Sequence, residues 1–206
     1  MVARKDYNWS QFDIVIAYLN ALLDNHKIYM VQPTGFHEGE KSQVCQLLRA
    51  LYGLKQSGYL WNTLFDNKLK NMGFKPSPAD PCLYWSGQIA VLIYVDNAIV
   101  AALSTNQIDK FYEDLASTFK VKIIGEPVRF LGCDITRNRA TKTITISQKA
   151  YTQEILQSLP NLNPTAVPIA PLWRPNAKTF IDNDNNNRNY KLSNLALYLT
   201  LTGYLN

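Results

Sequence analysis

The amino-acid sequence predicts an α+β fold, an antiparallel sheet with helices packed on one face. Three observations lead there. Short runs of β-branched and aromatic residues recur along the chain, glycines and small polar residues join several of them directly, and segments with apolar residues at three- and four-residue steps lie between them. With 206 residues and 47% apolar content, the chain buries a substantial core in one domain or a little more.

The elements follow in order. "QFDIVIAYL" reads as a strand carrying one acid, Asp13. "KIYMVQP" is a short extended piece closed by Pro33 and Gly35, and "VCQLLR" is another. After Gly53, the residues Trp61, Leu64, Phe65, Leu69 and Met72 mark an amphipathic helix stopped by Gly73. "CLYWS" and "IAVLIYV" form a hairpin around Gly87; "AIVAAL" follows, with Asp96 and Asn97 expected at the connecting turn. Ile108, Phe111, Tyr112, Leu115 and Phe119 mark a second helix, capped by Ser104 or Thr105. "VKIIGEP", "VRFLGCDIT" and "TITISQ" supply three more strands, the last two joined through Asn138 to Thr141, and "KAYTQEILQSL" is a helix ending at Pro160. A first domain over 1–160 is therefore expected, then a Pro- and Asn-rich linker over 161–190 and the start of a further helical region over 191–206.

Composition narrows the function classes. The 21 basic and 16 acidic side chains leave +5, which mildly favours a polyanionic partner without requiring one. Cys45, Cys82 and Cys133 lack metal-site spacing and read as reduced core residues of an intracellular protein, while His26 and His37 read as loop residues, so no structural zinc is expected. No signal-peptide core opens the sequence and no stretch offers the ~20 uncharged apolar residues of a membrane span. Neither secretion nor membrane insertion is expected.

An Asp-Asn pair between two apolar strands is, taken alone, a tight turn. If the strand of Asp13 lies beside the hairpin of Asp96, however, two carboxylates meet at one sheet edge. Convergent acids on a basic protein suit Mg²⁺, which takes hard oxygen ligands and completes its shell with water and phosphates. Two such ions about 3.5–4 Å apart activate a 3′-hydroxyl and neutralise a leaving pyrophosphate. A sheet module that stacks RNA bases on aromatics accounts for the tyrosines but leaves these acids unexplained.

Six blocks carry a family resemblance. "QFDIVIAYLNA", "IYMVQPTGF", "LYGLKQSGYLW", "ADPCLYW", "YVDN" and "FLGCDI" resemble, in the same order, blocks of copia-type retrotransposon reverse transcriptases. The resemblance implies a polymerase palm with partial fingers, and nucleotidyl transfer with Mg²⁺ or Mn²⁺ in a two-metal site. It implies that Asp13 and Asp96 hold the metals and that Asn97 stands at the third acid position. Tyr18 would crowd the sugar 2′ position, and Lys55 and Gln56 would approach the nucleotide or template. Tyr94 would pack near the primer terminus, and Phe130, Leu131 and Gly132 would form the hairpin gripping the primer. From the residues alone, Tyr18 also suits a core and Tyr94 suits one equally, Lys55 and Gln56 suit a solvated helix start, and Phe130 to Gly132 an ordinary strand. The implied partners are an RNA template, a DNA primer, deoxynucleoside triphosphates and the rest of a Pol polyprotein, in a cytoplasmic virus-like particle or the nucleus.

The departures from that pattern matter as much. Asn97 keeps the size and one oxygen of aspartate but not its charge; losing one preorganised electrostatic element of this kind costs on the order of 10²–10³ in rate. Val15 and Ile16 stand where the family carries polar residues, and Gly58-Tyr59 replaces a common Pro-Arg. The expectation is a truncated, degenerate copy without upstream fingers strands or ribonuclease H, with weak or absent activity. The alternatives are a nucleic-acid-binding remnant that clasps primer–template through Arg49, Lys55, Lys120 and Lys122, or a relic that does not fold stably.

Overall fold

The computed structural model describes residues 2–23, 27–40 and 42–158. Its elements run β1 (Asn8–Ile14), a 3₁₀ turn (Ala17–Asn20), β2 (Tyr29–Val31), β3 (Val44–Gln46), α1 (Ser57–Asn71), β4 (Lys75–Pro76), β5 (Leu83–Ser86), β6 (Ile89–Tyr94), β7 (Asn97–Ala102), α2 (Thr105–Ala116), β8 (Val121–Gly125), β9 (Arg129–Phe130), β10 (Cys133–Asn138), β11 (Thr143–Ser147) and α3 (Lys149–Ser158). The expected linker over 161–190 and the region 191–206 lie outside the described residues.

Six strands form one antiparallel sheet in the order β4-β5-β6-β7-β1-β8. Strands β4 to β7 are sequential neighbours. β1 comes from the other end of the chain and inserts between β7 and β8. Period-2 alternation decides which side chains face the helices. Phe12 and Ile14 of β1, Val91 and Ile93 of β6, and Ala98, Val100 and Ala102 of β7 join Trp61, Phe65 and Leu69 of α1 and Ile108, Phe111, Tyr112 and Leu115 of α2 in one core. Phe12 meets Phe111 and Tyr112 edge to face, and Phe119 packs on Trp61 and Phe65. Each such side chain contributes about 1.5–3 kcal/mol by leaving water. Thus α1 and α2 cover one face, and the alternate residues Gln11, Asp13 and Asn97 belong to the other.

A second sheet, β11-β10-β9, carries α3 beside β10. Arg137 ties it to the start of β1: its guanidinium lies 5.4 Å from the Trp9 ring centroid and bonds Asp6 at 2.7 Å, and Arg139 bonds Asp6 at 2.9 Å. β2 and β3 form a separate two-stranded ribbon. The mixed α+β architecture expected from the sequence is present, with α3 on the second sheet rather than the first.

Four expectations are corrected. β1 ends at Ile14 instead of running to Leu19, because Ile16 takes φ 52° and the Asn20 side-chain amide donates to the Val15, Ile16 and Ala17 carbonyls at 3.2, 3.2 and 3.3 Å. "VRFLGCDIT" is two strands, broken by a tight turn at Leu131 and Gly132, with φ 48° and 77°. Asn97 is not in the hairpin turn. Register explains why: Ile93 must pair with Ala98 for both to face the core, so Tyr94 pairs with Asn97 and the tip is Val95-Asp96. Finally, the cysteines are not core residues: Cys45 is exposed on the uncovered β3, and Cys82 and Cys133 are half-buried.

Candidate active site

The middle of the large sheet brings the two sequence-predicted acids together. Asp13 lies opposite Asn97 on β7 and opposite Lys122 on β8. The Ile14 N–H donates to the Asp96 carbonyl at 2.9 Å, and the Trp61 indole N–H donates to the Val95 carbonyl at 2.7 Å. The turn carrying Asp96 is therefore held from the sheet on one side and from α1 on the other. Val95 takes φ 58° at its tip, a left-handed conformation that costs a β-branched residue roughly 1–2 kcal/mol. Ile16 and Leu131 share that conformation, as do Asp6 and Lys142 away from the acids, so left-handed backbone occurs at Tyr18's segment, the acid turn and the Phe130 hairpin and also outside them.

The electrostatics are those of two acids sharing a site. Burial, and then the charge of Asp96, push the Asp13 carboxyl above the ordinary aspartate range, while Lys122 and the Ile14 N–H pull it back. One Asp13 oxygen, Oδ1, is buried without a hydrogen-bond partner. An orphaned buried carboxylate oxygen beside a second acid is a ready ligand for a hard cation. Beside it, the Gln11 side-chain amide, on a residue only 7% exposed, donates to Asn97 Oδ1 at 3.1 Å. The oxygen that Asn97 retains from aspartate is thus already engaged, and among the described residues no cluster of three or more His, Cys, Asp or Glu side chains forms. The site offers two carboxylates and an amide.

Tyr18 sits on the 3₁₀ turn after β1 and packs its ring against Tyr52, with centroids 4.5 Å apart and planes tilted by 45°. Burial, followed by the charges of Asp96, Tyr18 and Asp13, raises the Tyr52 phenol above its usual range. Tyr18, Trp61, Cys82, Tyr94 and Val95 line a cavity of about 180 Å³ behind the turn. Tyr94 is half exposed. Lys55 is exposed and Gln56 stands at the N-cap position of α1 without a side-chain capping bond; neither side chain has a hydrogen bond or ion pair among the described residues. Phe130, Leu131 and Gly132 form the β9–β10 hairpin in the second sheet, with Phe130 buried and Leu131 exposed.

Of the candidate nucleic-acid contacts, Lys120 and Lys122 are exposed. Arg49 is partly committed elsewhere: its Nη1 donates to the Leu19 and Asn20 carbonyls at 3.1 and 3.3 Å. Gln11, Tyr52 and Trp61 complete the site. Gln11 had a usable signal, since its position two residues before Asp13 places both on one strand face. Trp61 was read only as a core residue, and nothing local places Tyr52, 34 residues after Tyr18, against the Tyr18 ring.

Comparison with known proteins defines the class. The chain belongs to the reverse transcriptase (RNA-dependent DNA polymerase) family, matched over residues 1–171, in the form carried by copia-type retrotransposons. It is 33% identical over 178 residues to a retrovirus-related Pol polyprotein from transposon TNT 1-94 of Nicotiana tabacum, a match taking in 82% of this chain and 13% of the relative. A transposon Ty5-1 protein of Saccharomyces cerevisiae is 35% identical over 144 residues, 68% of this chain and 46% of the relative. A retrovirus-related Pol polyprotein from transposon RE1 of Arabidopsis thaliana is 30% identical over 175 residues, 81% of this chain and 12% of the relative. The chain thus spans less than half the length of each. No solved structure matches it. Among the described residues no helix is long and apolar enough to cross a membrane.

Proposed function

We propose that this chain is the palm, with partial fingers, of an RNA-directed DNA polymerase, and that its nucleotidyl-transfer site is the edge formed by Asp13 and Asp96. The observation that carries this is the orphaned Oδ1 of Asp13 on a strand hydrogen-bonded to the turn that holds Asp96. The donor set fits a divalent ion such as Mg²⁺ or Mn²⁺: Asp13 and Asp96 would hold it, and two acids close enough to oppose each other's ionisation are relieved by a cation. When bound, such ions activate a primer 3′-hydroxyl and neutralise departing pyrophosphate.

The chain's own groups do the positioning. Trp61 and Ile14 fix the acid turn through the Val95 and Asp96 carbonyls, so Asp96 need not reorganise when substrate arrives. Tyr18, half-buried and braced by Tyr52, presents ring bulk where a 2′-hydroxyl would sit and so selects deoxynucleotides. Tyr94 borders the primer terminus, Lys55 and Gln56 meet the nucleotide or template, and the Phe130–Gly132 hairpin grips the primer. RNA template, DNA primer and deoxynucleoside triphosphates are then the partners, within a longer Pol polyprotein.

A second reading is favoured by the Gln11–Asn97 hydrogen bond: with its oxygen engaged and its charge gone, the third position does not supply the missing acid. The chain then binds primer–template without chemistry, and Lys55, Lys120 and Lys122 supply phosphate contacts. Primer extension on an RNA template with Mg²⁺ and with Mn²⁺ decides. The unmodified chain, Asn97→Asp and an Asp96→Ala control are compared. Extension by Asn97→Asp but not Asp96→Ala supports the polymerase site; no extension by any of them, with binding that weakens steeply in salt, supports the second reading.

A further inference from the structure

Resting on the reading of the Phe130–Gly132 hairpin as the part that holds the primer, we propose that Arg137 is a positioning residue: it fixes that hairpin to β1, the strand that carries Asp13. The Arg137 side chain is only 6% exposed. Its Nη2 donates to Asp6 Oδ1 at 2.7 Å and its guanidinium lies over the Trp9 ring. Arg139, two residues on and so on the same face of β10, donates to that Asp6 oxygen at 2.9 Å and to Asn8 Oδ1 at 3.2 Å. Among the described residues, the hydrogen bonds and ion pairs that join β9, β10 and β11 to β1 and the residues before it all come from these two arginines.

Strand β10 carries the attachment to the hairpin. Phe130 pairs with Cys133 and Arg129 with Asp134, and the Ile135 N–H donates to the Val128 carbonyl at 2.8 Å, so hairpin and arginines belong to one ladder. On the other side β1 is held firmly: it pairs with β7 from Asn8 to Asp13 and with β8 from Gln11 to Ile14, and Asn8 Nδ2 donates to the Leu103 carbonyl at 3.0 Å. A second tether lies where β8 leads into β9, because the Trp9 indole N–H donates to Glu126. Both tethers end on Trp9. With the Glu126 tether alone, the second sheet can swing about Gly125, which closes β8 at φ 99° with nothing within 4 Å of where a Cβ would stand. The arginines remove that freedom. The burial of Arg137 also argues for placement over stability: its Nη1 is buried with no hydrogen-bond partner, a cost that an apolar side chain of similar length does not carry. A bond to Asp6 and a ring face together define one orientation.

The test separates placement from stability. The full chain, Arg137→Met, Asp6→Asn and the double variant are compared by urea denaturation. Each is then bound, in Mg²⁺ without urea, to a primer–template with 2-aminopurine at the primer 3′ end and to a blunt duplex of the same length. Arg137→Met is expected to keep the urea midpoint, because Arg139 still pairs with Asp6 and the core under α1 and α2 is untouched. It is expected to bind primer–template about three- to tenfold more weakly, to bind the blunt duplex unchanged and to lose the 2-aminopurine response. Asp6→Asn, which suits the φ of 51° at that position, is expected to move the same readouts the same way. The double variant is expected to be no worse than the poorer single variant, since one attachment is lost only once. If Arg137→Met gives no cooperative transition, Asp6→Asn decides alone. Unaltered primer-end readouts make the arginine structural only and overturn the assignment, as does equal weakening on both duplexes, while the polymerase reading stands. An unmodified chain that does not distinguish primer–template from blunt duplex overturns the reading of the hairpin, and this inference with it.

Discussion

Replacing Asn97 with aspartate returns a negative charge to a strand position directly opposite Asp13. Directly opposed residues place their Cβ atoms about 5 Å apart, and two unit charges at that distance repel by roughly 3 kcal/mol at an effective dielectric of ~20 and about 0.8 kcal/mol in bulk water. The site is half-buried, so Asn97→Asp is expected to cost about 1–3 kcal/mol in cation-free buffer, a fall in Tm of about 3–10 °C for a chain of this size. Gln11 offsets part of this cost by donating to one of the new carboxylate oxygens, as it does to Asn97 Oδ1 at 3.1 Å, leaving the second oxygen for a metal. Adding Mg²⁺ is then expected to raise the Tm of Asn97→Asp well above its cation-free value while moving the unmodified chain less. Primer extension rises by on the order of 10²–10³. Thermal melts with and without Mg²⁺, run beside the extension assay, read both effects. An Asn97→Asp protein whose melting ignores Mg²⁺ refutes the reasoning, because the new charge then faces neither Asp13 nor a shared cation.

Three further predictions concern what holds the site in place. Trp61→Phe keeps a ring in the core but strips the Val95 carbonyl of its 2.7 Å donor; urea denaturation is expected to show a loss of about 1–3 kcal/mol, and an unchanged midpoint would contradict the role given to the indole. Because the folded protein raises the Asp13 carboxyl, ionising it costs more folded than unfolded: its contribution to stability falls as pH rises from 3.8 through the folded value. Asp13→Asn is accordingly expected to melt higher than the unmodified chain near neutral pH without metal, and the gap to close in acid; a gap that widens on acidification has the wrong sign. Leu131→Asn places at φ 48° a residue that tolerates the left-handed region, and since Leu131 is 48% exposed little packing is lost, so stability is expected to rise by about 1 kcal/mol. A fall in the denaturation midpoint would show that Leu131 is held by packing instead.

Much of this protein was legible along the chain. Alternating apolar residues in "IAVLIYV" and "AIVAAL" determined a hairpin, the steps from Trp61 to Leu69 determined a helix, and six ordered blocks determined the family, because each of these signals lies within one local segment. Side-chain period also determined which face of β1 carries Asp13. Long-range pairing was not legible. Only the tertiary structure inserted β1 between β7 and β8, fixed the register that moves Asn97 out of the turn and opposite Asp13, and brought Gln11 to its amide and Tyr52 to Tyr18. The physical reason is that a strand's own residues specify its two faces, whereas its neighbour and register are specified by the packing that both strands satisfy together against α1 and α2. The acids were visible in the sequence; the groups that hold them and the ring set against Tyr18 came from the fold.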